Sequence, residues 1–163
     1  MTRIACAVAA AFLLLPAFSI GAAGEETLTP DDHKIAACLK EAASKGVAGT
    51  VCIGIVADPC IAEVRDTNEE AREAAICAAR EVGVWQLRLN NAGMRAAKAG
   101  GKELSATLAT SMRHWGESAT SLCPLFQRLG PGMALGGGNY CYVYENAIRA
   151  LQLERLADAL HPH

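Results

Sequence analysis

The chain has 163 residues, 15 basic and 17 acidic side chains, a formal charge of −2 and a hydrophobic share of 52%. Charge is spread without blocks, which argues against nucleic acid as a partner, since that needs a basic face. The length suits one domain.

The first stretch reads as a secretory signal peptide over residues 1–23: Arg3 gives a positive start, Ile4 to Leu15 an apolar run, and Gly21-Ala22-Ala23 a small-residue cleavage site. An uncleaved membrane anchor is the rival reading, but the run is short for a bilayer. A lipidation site is disfavoured because Cys6 precedes the apolar run instead of following it. The expected mature protein is a single domain, 24–163, periplasmic or secreted, with no membrane span after cleavage. It keeps 14 basic and 17 acidic residues.

Thr29-Pro30-Asp31-Asp32 forms a helix entrance, with Thr29 to cap, Pro30 at the first helical position and two acids at the positive end. The expected helix spans 31–45, with Ile35, Leu39 and Ala42 or Ala43 inward, Cys38 beside them, His33 in solvent and Gly46 as terminator. From Val47 to Thr67 two glycines, Pro59, Cys52 and Cys60 predict an irregular, disulfide-pinned segment. Within it Val51 to Val56 has strand composition but no evident partner strand.

The organising element follows, a helix over 69–98 capped by Asp66 or Thr67. Ala71, Ala75, Ala78, Val82, Trp85, Leu89, Ala92 and Ala96 alternate at steps of four and three, drawing one apolar seam, with Glu69, Arg72, Glu73, Arg80 and Arg95 off it. After Gly100-Gly101 a second helix, 103–129, carries Leu104, Leu108, Trp115, Ala119, Leu122, Phe126 and Leu129 as its own seam, with Met112 alongside. An antiparallel hairpin turning near residue 100 sets Trp85 level with Trp115 and Cys77 level with Cys123. Gly116 weakens the second helix, and Pro124 is expected to kink or end it. Gly130 to Asn139 reads as a loop. It lacks the spacings and the lysine of a phosphate-binding loop, and is either a flexible connection or a contact surface. A final helix over 140–160 has Tyr144, Ile148, Leu151 and Leu160 as candidate core.

The expected fold is therefore all-α: a disulfide-tied helical hairpin (69–98 and 103–129) packed with an N-terminal helix (31–45) and a C-terminal helix (140–160). Six cysteines remain after signal removal, Cys38, Cys52, Cys60, Cys77, Cys123 and Cys141, and an even number in an exported chain favours three disulfides. The hairpin register favours Cys77 with Cys123. Closeness in sequence instead pairs Cys38 with Cys52, Cys60 with Cys77 and Cys123 with Cys141, and this set is preferred because every cysteine then has a partner within one connection. No C-x-x-C pair occurs and the histidines are scattered, so neither a metal site nor a cofactor is expected.

Catalysis finds no constellation. A cysteine nucleophile is excluded if all six are bridged, and His114 with Glu117 one turn on reads as a surface ion pair. The acid pairs Asp31-Asp32 and Glu69-Glu70 stand at helix starts, where capping explains them. The expectation is that the protein is not an enzyme.

The order Cys77, Glu81, Trp85, Leu89-Asn90, then Leu108, Trp115 and Cys123, a glycine run before Cys141, and Arg149-Ala150-Leu151 resembles the LprI-type lysozyme-inhibitor family of exported bacterial proteins. Cys52-Ile53-Gly54-Ile55 and Asp58-Pro59-Cys60 are similar to its longer members, so the likeness runs over about residues 50–155. It implies a small disulfide-tied helical domain in the bacterial envelope that inhibits lysozyme by protein–protein binding. Trp85, Leu89, Asn90, Trp115 and Arg149 would be its family-motif core, and Gly136, Gly137, Gly138, Asn139 and Tyr140 are the candidate partner-contact loop. Departures occur at Ser118 and Ala119, where an aromatic and an arginine are usual, at Met112 in place of glutamine, and at Gly93 in place of tyrosine. The alternative reading is an envelope structural or interaction protein with another partner and no lysozyme-inhibitory activity.

Overall fold

The computed structural model describes residues 29–65, 69–128 and 137–161. The expected signal peptide, the expected cap at Asp66 or Thr67, Leu129 and the 130–136 part of the expected glycine loop lie outside them. The described chain is all-α, without a strand: α1 (Pro30–Ser44), a 3-10 turn (Gly49–Cys52), α2 (Ala57–Val64), α3 (Glu70–Arg128) and α4 (Gly137–Leu160).

The start of α1 follows its sequence. The Asp32 N–H donates to Thr29 Oγ1 at 3.2 Å, and Pro30 occupies the first turn, where its missing N–H costs nothing. Gly46, at φ 66°, ends the helix in a conformation that other residues adopt at a cost.

Helix α3 is two arms. Gly101 breaks it with φ 73° and ψ −169°, a combination open essentially to glycine alone. The topology follows from contacts to α4. Arg88 reaches Glu154 and Arg95 reaches Asp158, so numbers advance together and α4 runs parallel to the first arm. Ser111 meets Arg149 and Cys123 is bonded to Cys141, so numbers advance oppositely and α4 is antiparallel to the second arm. The arms are therefore antiparallel, and α4 completes a three-helix bundle against the hairpin.

Trp85 lies at the centre, wholly buried with Ile35 of α1 and Val143, Ala147 and Ala150 of α4, while Leu108, Met112 and Trp115 of the second arm pack against this cluster. Ala57 and Ile61 of α2 pack on Ala74 and Cys77 in a smaller cluster. Parts of the expected seams differ. Ala71 and Leu122 are exposed, whereas Ala74, Cys77, Glu81 and Val84 are buried, because α2 and the 54–57 turn cover that flank of the first arm. On α4 the inward stripe is Val143, Ala147, Ala150, Leu153 and Ala157, with Leu151 beside it, while Tyr144 faces out. Small alanines let three helices approach closely, which the larger candidates do not.

Two further expectations are corrected. The Val51–Val56 run, which its composition leaves between strand and loop, is a 3-10 turn and a further turn leading into α2, with backbone donors taken by a side chain. The segment expected to be irregular thus contains a helix, with Pro59 in its first turn. Residues 137–139 are helical, not loop. The second arm runs on through Pro124 to Arg128, as the expected 103–129 helix has it.

The disulfides are Cys38–Cys52, Cys60–Cys77 and Cys123–Cys141, with Cα–Cα distances of 5.8, 5.6 and 5.4 Å. This is the sequential set, and each bridge clips one element to the next. Cys77 does not face Cys123 across the hairpin, because α2 and α4 each claim one of them.

Candidate functional site

The most constrained group in the molecule is Glu81, 0% exposed, on the first arm one turn before Trp85. A carboxylate in that position is costly unless its lone pairs are filled. Four donors fill them. The Gly54 N–H reaches Oε1 at 2.7 Å, the Val56 and Ala57 N–H groups reach Oε2 at 2.9 and 2.8 Å, and the Trp85 indole N–H reaches Oε1 at 2.9 Å. The turn 54–57 is folded around this carboxylate as a backbone nest is folded around an anion. Gly54, at φ 92°, makes it possible, and a β-carbon there would stand 2.5 Å from both the Asp58 carboxylate and the Tyr140 hydroxyl.

Tyr140 closes the same region from α4. Burial, and then its hydrogen bond to Asp58 and the negative charges of Asp58 and Glu81, push its phenol well above the ordinary tyrosine value. Glu81, Trp85, Gly54, Asp58 and Tyr140 thus form one polar knot joining α2, the first arm and α4, and the Cys60–Cys77 bridge lies alongside. All four charge-assisted donors point at a group already saturated, so the knot presents no free carboxylate to a substrate.

A second ionic belt fixes α1. Asp31 receives Arg80 through two nitrogens, at 2.9 and 3.1 Å, and buried Asp32 lies 3.5 Å from Arg88, which bonds Glu154 at 2.7 Å. The acids that suit the helix start are also its docking points on α3. Burial raises the Glu154 carboxyl above its ordinary value, against the lowering pull of Arg88.

The sequence candidates fall into separate places. Trp85 and Leu89 are core, Asn90 is exposed, Trp115 is half-buried, and Arg149 bridges to Ser111 of the second arm. Of the candidate contact loop, Gly136 lies outside the described residues, and Gly137, Gly138, Asn139 and Tyr140 form the first turn of α4. Asn139 and Tyr140 are both half-buried. His114 and Glu117 lie 3.4 Å apart with 67% and 64% of their side chains exposed, a surface pair. Among the described residues no group of histidine, cysteine and acidic side chains is arranged to hold a metal ion, and no helix is long and apolar enough to cross a membrane.

The sequence reading missed the role of Glu81 although the signal was present: Cys77, Glu81 and Trp85 share one helix face at steps of four, and an acid on such a face must have partners. No family model, curated protein or solved structure matches the chain.

Proposed function

We propose that the chain is an exported, disulfide-locked binding protein of the LprI type, that it is not an enzyme, and that it acts by protein–protein contact with a lysozyme as partner. The observation that supports this reading is the Glu81 knot. Cys77, Glu81 and Trp85, with Cys52, Gly54, Asp58 and Cys60 upstream, carry the resemblance, and these residues hold the 54–57 turn against the first arm. Their pattern is accounted for as a scaffold. A scaffold fixed by three bridges and a saturated buried carboxylate loses little entropy when its surface engages a partner.

The end of the bundle at Cys123–Cys141 is the surface assigned to that contact. Beside Asn139 and Tyr140, it exposes Leu122, Leu125 and Tyr144, at 40%, 50% and 52%. Apolar groups of this size, rimmed by polar ones, suit a protein interface. The test is lysis of a lysozyme-sensitive bacterial suspension by a c-type lysozyme in the presence of the purified, oxidised protein. Inhibition at micromolar or lower concentration is expected, and an Asn139→Ala/Tyr144→Ala double variant that still folds should weaken it.

One observation favours the second reading, an envelope interaction protein without lysozyme-inhibitory activity. Ser118 is exposed where the resembling family carries an aromatic, and Ala119 is buried where it carries an arginine, so two large groups are missing from the second arm. Absence of inhibition by a helical, fully bridged sample would move the assignment to that reading.

A further inference from the structure

Arginines that join helices in this bundle are matched with carboxylates: Arg80 with Asp31, Arg88 with Asp32 and Glu154, Arg95 with Asp158. Arg149 is the exception. It projects from α4 to the second arm, where Nη2 donates to Ser111 Oγ and Nη1 meets Gln152 Oε1 at 3.3 Å, and its buried Nε–H has no acceptor. Among the described residues no carboxylate lies within ion-pair distance of it. Glu145 stands one turn earlier on the same helix, at the spacing that commonly pairs, yet no such pair forms.

Thr107, Thr120 and Ser121 of the second arm turn their hydroxyls back to the carbonyls four residues earlier, whereas Ser111 faces α4 and accepts from Arg149, keeping its own proton to donate. One turn further on, about 6 Å along the axis, the buried Trp115 indole N–H has no acceptor either. Buried donors are nearly always paired. Arg88 Nε is unpaired as well, but its guanidinium holds two carboxylates, whereas Arg149 Nε and the indole one turn from its Ser111 partner have no counter-ion with them, which describes a place short of acceptor atoms and negative charge.

We propose that Arg149, Ser111 and Trp115 form a receptor for a carboxylate, seated between the second arm and α4. A planar carboxylate matches the guanidinium fork and supplies the lone pairs that Arg149 Nε, the Ser111 hydroxyl and the Trp115 indole lack. Gln152, on the Nη1 end, is exposed, so that end of the guanidinium lies towards solvent. The site is distinct from the Glu81 knot, which is saturated with donors, and it does not depend on lysozyme being the partner.

The chain has two tryptophans, so its indole N–H region in an amide-correlation NMR spectrum holds two signals, with Trp85, locked on Glu81, as internal control. The oxidised protein is titrated at constant ionic strength with acetate, with a short glutamate-containing peptide, and with chloride alone. A saturable shift of the Trp115 signal with acetate or peptide, absent with chloride and lost in Arg149→Gln, is expected. Saturation by acetate assigns the site to free small acids, and by peptide alone to a protein's acidic side chain. An unmoved Trp85 signal shows that the variant still folds. No saturable shift with either probe, an equal shift with chloride, or a shift retained in folded Arg149→Gln would overturn the proposal.

Discussion

Glu81 shows how one side chain organises what surrounds it. Three backbone N–H groups and an indole converge on it, and none has another acceptor once it is removed. Glu81→Gln replaces one acceptor oxygen by a donor and strands part of this set. Unfolding in urea with disulfides intact should show a loss of about 2–4 kcal/mol, a large share of the ~5–15 kcal/mol that a domain has. Tyr140 and Glu154 give the pH dependence. Both hold their protons more tightly folded than unfolded, so the stability each contributes is complete below its ordinary value and is lost as pH rises through the folded value. Glu154→Gln should therefore flatten the fall in stability on going up from the ordinary carboxyl value of 4.5. In alkaline absorbance titration a late tyrosine component, ionising well above 10.0, should be missing from Tyr140→Phe. These partners were not legible in the sequence. They depend on which loop meets which helix, and local spacing carries no such information.

The helices were legible where a periodic face and a terminator agreed, as in α1 between Thr29 and Gly46, and in the reversal of α3 at Gly101. Helix α2 was not. Its eight residues carry Asp58, Pro59 and Cys60, which read locally as turn chemistry, and it forms because Glu81 caps its first N–H groups from another element and Cys60 anchors it to Cys77. Nor was the inward face of α4 legible, since apolar residues occupy more than one side of it. The glycines separate by role. Gly101→Ala forces a β-carbon into a glycine-only conformation and should cost about 1–3 kcal/mol. A β-carbon on Gly116 meets nothing within 4 Å, so Gly116→Ala, in a helix interior, should raise the melting temperature by gaining about 0.5–1 kcal/mol.

At the scale of the molecule, three bridges clip successive elements: α1 to the 3-10 turn, α2 to the first arm, the second arm to α4. Loops of 14, 17 and 18 residues are closed, each worth about 3 kcal/mol in the chain-entropy view. The pairing was legible as a preference, because each connection contains its own cysteine pair, while the hairpin register alone pointed elsewhere. The lysozyme assignment rests on resemblance, and the residues that carry it belong to the scaffold. The central claim, an exported protein locked by sequential bridges, is tested most directly by non-reducing peptide mapping of the protein expressed with its full leader in a bacterium and recovered from the periplasm. The account predicts a mature N-terminus near Gly24 and the pairs Cys38–Cys52, Cys60–Cys77 and Cys123–Cys141. An intact leader with free thiols, or a Cys77–Cys123 cross-link, would contradict it.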